Sequence, residues 1–491
     1  MEVFMLTTDA RDEDMDPTKA AANHERFKAC IDLIQSYKKR DDEHPDDYGG
    51  AAYAEDTAKQ CFIYMYGRTA EGKSVCLRIP FAPALYLEAP EGWGHAESTA
   101  TAERIYLSIN GRAYGGIARE CVFRAGYHGD KDFLFYKLQV TSDKALKQCQ
   151  YALQKKPLNV WVLKRDPHRF ALYEANVPPV IQFFHETGSL PCGWHTIDLG
   201  GRKPVDKARQ VSTCDLEFLI PQTAIRAKRT EAGQGAEIPP LVECSFDIEA
   251  YTTDGSFPEG SFEGARTITI GSTFKVYGQK EPYLRHVITL KDCAPIEGVV
   301  VENYDSEGEV IMAWQRLLMN ESPDVIYSWN GYGFDWNFLY KSARRAGVPV
   351  NVGRLKGVPS TLSEKQLESA AFGFNKFLLV SMQGILDLDL MQAVKRSHKL
   401  DSYSLENVAS VTLNEHKNDM PIRRLFELFE QGTPEGIAEI ARYCVQDTAL
   451  PLRLSDKLNL LFDQIEMSKA TFVPIDYLLH RGQQASARKF P

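Results

Sequence analysis

The chain has 491 residues with 57 basic and 66 acidic side chains, a formal charge of −9, and is long enough for roughly two to four domains. At 44% hydrophobic, 11% aromatic and 25% charged residues, it has the make-up of a globular protein, neither disordered nor collagenous. The acidic balance counts against a protein that holds nucleic acid by bulk charge alone but leaves room for a local basic track.

No apolar run in the sequence approaches the ~18 residues of a membrane span, so no membrane partner is expected. The opening MEVFMLTTDARDEDMDP lacks the basic and long apolar regions of a secretory signal. Cysteines stand singly, with no CxxC pair. That spacing argues against a zinc ribbon or a disulfide framework and fits a reducing, intracellular compartment.

In chain order, residues 1–55 are acidic and poor in large apolar groups, with one helical pattern in AAANHERFKACIDLIQSYKKR, and read as mostly a flexible tail. Strand-like segments follow: QCFIYMYGR, SVCLRIPF, ALYLEAP, ERIYLSI, FLFYKLQV and FALYEAN. Their aromatic and β-branched residues alternate with period two between Gly, Pro and Asp turns. A β-rich α+β domain is expected over 56–235, closed by the polar linker RAKRTEAGQGAEIPP.

Beyond the linker, LVECSFDIEA, RTITIGSTF and HVITL read as strands, VIMAWQRLLMN as a helix, DVIYSWN as a strand and DWNFLYKSARRAG as a helix. The stretch from PIRRLFELFEQ to RLSDKLNLLFDQI is helical by its i, i+3, i+4 spacing. Strands first, then alternating helices and strands, predict an α/β domain with a mixed central sheet over 236–468. No repeat of fixed period and no low-complexity tract is present.

The pattern Asp-x-Glu stands at Asp215/Glu217, Asp247/Glu249 and Asp305/Glu307. YDSEGE reads as a polar turn, and CDLEFLI lies in the first region with no carboxylate partner nearby. LVECSFDIEA ends an apolar strand, where i and i+2 share a face, so Asp247 and Glu249 should project together beyond the sheet. Two carboxylates that close repel unless a cation or proton lies between them; the alternative is a strand end with solvated acids. In SWNGYGFDWNFLY, Asp335 opens a helix amid Tyr327, Trp329, Tyr332, Phe334, Trp336, Phe338 and Tyr340. An N-cap would account for the Asp. An exposed ring beside an acid also suits stacking on an unpaired base. In ARYCVQDTALPLRL, Tyr443 and Asp447 are four apart and share a helix face, as they would on an ordinary amphipathic helix.

Taken together, Asp247, Glu249, Asp335 and Asp447 are hard oxygen ligands suited to Mg²⁺ or Mn²⁺ and not to zinc. Two such ions about 4 Å apart would serve metal-assisted hydrolysis of a phosphodiester.

FDIE, NGYGFD and YCVQD resemble, in order and spacing, the three exonuclease motifs of family B DNA polymerases. The Tyr four residues before the last Asp resembles the tyrosine type of DEDD nuclease. KLDSYSLENVA, VPIDYLLHRGQQ, YMYGRT and RFALYEANVPPVIQFFHETG extend the likeness to the delta-type branch over roughly 58–484, similar to the enzymes of large eukaryotic DNA viruses. The resemblance implies an RNase H-like 3′→5′ exonuclease domain. Asp247, Glu249, Asp335 and Asp447 would bind metal, and Tyr443 would orient the attacking water. Asn330, Phe334, Ser404 and Leu405 would contact the frayed DNA 3′ end. Lys399 would contact phosphate or be a solvated helix-end lysine.

The resemblance further implies the nucleus or a viral replication site, and the polymerase portion of the same or a companion chain as partner, with a sliding clamp as a further candidate. Neither a DxxSLYPS-like nor a YGDTDS-like polymerase segment occurs in the sequence, and residues 469–491 read as the start of a connection to a polymerase domain. The rival readings are a stand-alone DEDD exonuclease and a non-catalytic module that holds template or a partner.

Overall fold

The computed structural model describes residues 1–6, 11–12, 61–88, 117–123, 133–140, 142–155, 171–228, 238–369, 373–415 and 420–480. The helical pattern expected at 20–40 and the ERIYLSI strand lie outside them. The N-terminal strands are β1 (Glu2–Leu6), β2 (Arg11–Asp12), β3 (Cys61–Arg68), β4 (Ser74–Phe81), β5 (Ala84–Glu88), β6 (Ile117–Phe123), β7 (Phe133–Gln139), β8 (Leu172–Tyr173), β9 (Cys192–Ile197), β10 (Leu216–Leu219) and β11 (Ile225–Ala227). They form two sheets. One runs β10-β4-β3-β1-β9-β11 with β2 on β3, and the other runs β6-β7-β5-β8.

β3 and β4 are buried along nearly their whole length, as strands covered on both faces must be. Ile63 and Met65 pack with Phe183 and Phe184 of the helix Pro179–Thr187. Tyr64 and Tyr66 turn the other way, toward Val211, Cys214 and Leu355.

Three expectations need correction here. Residues 2–6 are not tail: β1 is hydrogen-bonded between β3 and β9, and Met5 is fully buried. The acidic composition of the following residues masks this short apolar run. FALYEAN yields only the two residues of β8, because Glu174 adopts a left-handed φ of 56° and ends the strand. Glu307 of YDSEGE is not in a solvated turn. It opens the helix Glu307–Glu321, is buried, and pairs with Arg345 at 2.5 Å.

The second region contains β12 (Val242–Thr252), β13 (Ala265–Val276), β14 (Leu284–Leu290), β15 (Val300–Tyr304), β16 (Val325–Ser328), β17 (Leu362–Ser369), β18 (Gly373–Val380) and β19 (Leu386–Asp389). Its main sheet has the order β15-β14-β13-β12-β16-β19. β12, β13 and β14 are antiparallel neighbours, while β15, β16 and β19 join in parallel. This is the expected mixed α/β arrangement. The β17–β18 hairpin was not foreseen, since its polar sequence lacks a clean alternation.

Side chains along β12 and β13 sort by parity. Phe246 packs on Trp314 and Trp336, at ring centroid distances of 5.0 and 4.6 Å, from the helices Glu307–Glu321 and Asp335–Ala346. The opposite parity faces the long helix Pro434–Lys457, where Thr273 and Thr448 hydroxyls lie 2.6 Å apart.

The two regions interlock. The boundary expected after residue 468 falls inside the helix Leu460–Thr471, and Val473, Tyr477 and Leu478 enter the core of the N-terminal sheet. Asp324, just before β16, pairs with Arg68 of β3 and with Arg354 at 2.8 Å, and accepts the Val242 amide at 2.7 Å. All three charged side chains are almost fully buried. Asp324→Ala would leave two buried guanidinium groups without their carboxylate. It is expected to cost about 3–5 kcal/mol, measurable as a lowered midpoint in urea denaturation, with Asp324→Asn less severe.

Candidate active site

β12 pairs with β16 only as far as Ser245, while its pairing with β13 continues to Thr252. Asp247 and Glu249 therefore lie past the end of one neighbour but remain in register with the other, opposite Gly271 and Thr269. They are half-buried within a strand and not beyond its end.

Gly271 decides what can approach them. A Cβ there would lie 2.8 Å from the Cys444 Sγ, so the absence of a side chain lets the long helix sit directly on β13. Cys444 donates to the Asp247 carbonyl at 3.5 Å. Ligand atoms of Asp247, Glu249 and Cys444 all lie within 4.8 Å of one another. Burial first, then the charges of Asp247, Glu249 and Asp447, push the Cys444 thiol well above its usual range. In this cluster a hard cation would favour the carboxylate oxygens over the soft thiol sulfur. Asp447 is buried and Tyr443, one helical turn earlier, is half-buried.

Asp335 arrives from the other side. It is the first residue of its helix, with Phe334 at the cap position and no side-chain capping bond, so the capping alternative does not hold. The group is almost fully buried, and its carboxyl is pushed up to about 8 by burial, then by Asp389, with Glu249 and Asp387 adding to the effect. A carboxylate within reach of so many like charges would be stabilised in its ionised form by a cation. Hard carboxylate oxygens are the donors that Mg²⁺ or Mn²⁺ prefer, so the four acids suit the metals expected.

The turn between β16 and this helix is held by residues that sequence reasoning missed. Asp389 at the end of β19 accepts the amides of Asn330 at 3.2 Å, Tyr332 at 3.1 Å and Gln392 at 3.3 Å. Burial raises its carboxyl to about 6 against the pull of those amides. Asp387 accepts from the Trp336 indole at 3.3 Å. The signal was the Asp-Leu-Asp of GILDLDL, with no second motif to give it weight. Asn330 itself takes a left-handed φ of 69°, and its side chain lies over Gly333, where a Cβ would meet its Oδ1 at 2.4 Å.

The expected DNA contacts divide. Phe334 is half-buried, stacked on Phe338 at 5.6 Å and met edge-on at 5.5 Å by Phe257. Phe257 is 79% exposed on the loop after β12 and had no signal in the sequence. Trp329 donates to the Tyr403 carbonyl at 3.2 Å, bringing the Asn330 turn beside Ser404. Ser404 caps the helix Leu405–Leu413 through the Asn407 amide at 3.2 Å. Leu405, placed on the strand path by resemblance, opens that helix and packs in a core with Tyr327 and Leu388. Lys399 is exposed in the connection before Leu405. Cysteines whose side chains are described are free thiols, and no helix among the described residues is long and apolar enough to cross a membrane.

Acids gathered where β12 outruns its parallel neighbour define a carboxylate-lined α/β site. Residues 170–408 match the model described as DNA polymerase family B, exonuclease domain. The chain is similar to a DNA polymerase of Paramecium bursaria Chlorella virus NY2A, 31% identical over 87% of this chain and 45% of the relative. It is also similar to the DNA polymerase delta catalytic subunit of Mesocricetus auratus, 33% identical over 85% of this chain and 38% of the relative. Its fold is like that of the family B DNA polymerase from the archaeon Pyrobaculum calidifontis, with a TM-score of 0.61 at 19% identity over 88% of this chain and 47% of that one. The chain carries an exonuclease region of the family B DNA polymerase type. It spans less than half the length of these relatives. Tyr443 and Asp447 lie beyond the residues matched by that model, on the helix that Gly271 lets approach β13.

Because the Asp335 carboxyl is raised in the folded protein, the unfolded chain ionises first as pH rises from about 4 to about 8. In EDTA the native state loses stability across that window, and Asp335→Asn removes the loss. The variant is expected to have a higher Tm than the parent, with the gap wider at pH 8 than at pH 5, by thermal denaturation.

Proposed function

We propose that the chain is the N-terminal and proofreading portion of a delta-type family B DNA polymerase, in which an RNase H-like domain hydrolyses the 3′-terminal phosphodiester of single-stranded or frayed DNA. The observation that supports this reading is that Asp247 and Glu249 lie together beside Cys444, with Asp447 adding its charge there, Glu249 adding its charge to Asp335, and Tyr443 one helical turn before Asp447. Two Mg²⁺ or Mn²⁺ ions bound by these carboxylates would supply Lewis-acid activation of water and neutralise charge on the phosphate.

The chain's own groups do the rest. The Tyr443 phenol orients the attacking water. Phe334 and Phe257 offer ring faces to an unpaired base, which every base can use, and the Asn330 turn sets the depth at which the strand stops. The bond to the penultimate 3′ oxygen breaks, releasing a nucleoside 5′-monophosphate and a strand shorter by one residue. A mismatched terminus pays less to unpair, so it reaches the site more often than a matched one. The interlock of Val473, Tyr477 and Leu478 with the N-terminal sheet supports a polymerase-type arrangement over a free-standing nuclease.

On a 5′-labelled single strand with Mg²⁺, the parent protein is expected to produce a ladder shortened from the 3′ end. Changing both Asp247 and Glu249 to Ala should lower the rate at least about 10³-fold, and Tyr443→Phe about 10²-fold. A double variant as active as the parent would overturn the assignment.

A further inference from the structure

We propose that Arg345 is a positioning residue for the DNA end, fixing the loop between β12 and β13 so that Phe257 stands over Phe334. The inference rests on the exonuclease reading above and concerns a side chain outside its motifs.

Phe257 is unusual in being a large ring that is 79% exposed. An aromatic side chain left in water contributes nothing to folding, and its edge contact with Phe334 extends the Phe334–Phe338 stack outward from the Asp335 helix. A ring at that place can receive a base only if its loop holds one conformation. Within the loop, Thr252 donates to the Ser256 carbonyl at 2.7 Å, the Ser256 amide to Asp254 at 3.0 Å, and the Thr253 amide to the Gly264 carbonyl at 3.1 Å across its base; none of these reaches another element.

What ties it to the rest of the protein is Arg345, on the last turn of the Asp335–Ala346 helix. One guanidinium nitrogen donates to the carbonyls of Gly260 and Phe262, the latter at 3.1 Å. The other reaches Glu307 at 2.5 Å. Glu307 in turn accepts the Thr267 amide of β13 at 2.6 Å. The planar fork thus joins the loop, the helix that begins with Asp335 and the start of β13. Gly260 completes the fit: a Cβ there would lie 2.4 Å from the Phe338 carbonyl, so the loop backbone lies directly on the helix. Lys341 and Glu259 add an exposed pair at 2.8 Å, which is worth little alone. A lysine in place of Arg345 could keep the charge beside Glu307. With no planar fork it could not hold two carbonyls and a carboxylate in this geometry.

The test uses the full chain, labelled single-stranded DNA and a second strand whose last two nucleotides are abasic. On ordinary DNA, Arg345→Lys is expected to raise KM about tenfold with kcat within about twofold of the parent, the size of one lost base–aromatic contact. On the abasic strand the parent and Arg345→Lys should have the same KM, since there is no base to receive. Phe257→Ala should match the Arg345→Lys rise on ordinary DNA, and the double variant should be no worse than either. An unchanged KM in Arg345→Lys or in Phe257→Ala on ordinary DNA overturns the proposal, as does an equal loss on both strands, which would mark Arg345 as a fold residue. A parent protein that degrades neither strand overturns the nuclease reading itself.

Discussion

The site depends on how closely the helix Pro434–Lys457 can approach β13, and Gly271 sets that distance. With no Cβ in the way, Cys444 rests on the strand opposite Asp247. Asp447, one turn further along, then enters the same charged neighbourhood. Any larger residue at 271 would lift the helix and separate two acids that lie 200 residues apart in sequence. The Thr273–Thr448 hydroxyl contact, one step further along both elements, fixes the same spacing.

That approach creates an electrostatic problem that the fold resolves only in part. Asp335, Asp387 and Asp389 are buried together, and Glu249 adds its charge from β12. Asp389 is stabilised by backbone amides of the Asn330 turn and of its own helix. Asp387 has the Trp336 indole. For Asp335 the neighbours are mostly like charges, and its carboxyl holds a proton into the neutral range. Buried acids so arranged are a reservoir for cation binding, since a metal would replace the proton and relieve the repulsion at once. Asp387 and Asp389 thus shape the turn, apart from the proposed metal ligands.

The N-terminal sheet belongs to this construction and is not an appendage. Arg68 reaches from β3 to Asp324, where β16 begins, and β16 leads directly to the Asn330 turn. The last helices return to the same sheet. A buried charge cluster is poor evidence for net stability, but it penalises any arrangement in which its partners part. It therefore fixes the direction of β16 relative to the N-terminal strands.

The sequence by itself determined the carboxylate motifs, the class of metal they suit and the family, because motif spacing and ligand chemistry are local properties of a chain. It also determined most strands and helices, where alternation or 3.6-residue spacing was strong, as in CFIYMYGR and IAEIARYC. Only the tertiary structure decided that Asp335 is a buried acid and not a cap, and that Leu405 packs in a core. It alone showed that residues 2–6 complete a sheet and that Glu307 meets Arg345. These depend on what another part of the chain brings to the residue, and neither composition nor period records a partner far away in sequence. Phe257 and Asp389 illustrate the same limit. An exposed ring and a buried acid look alike in a sequence until the loop and the turn they belong to have been folded against a helix.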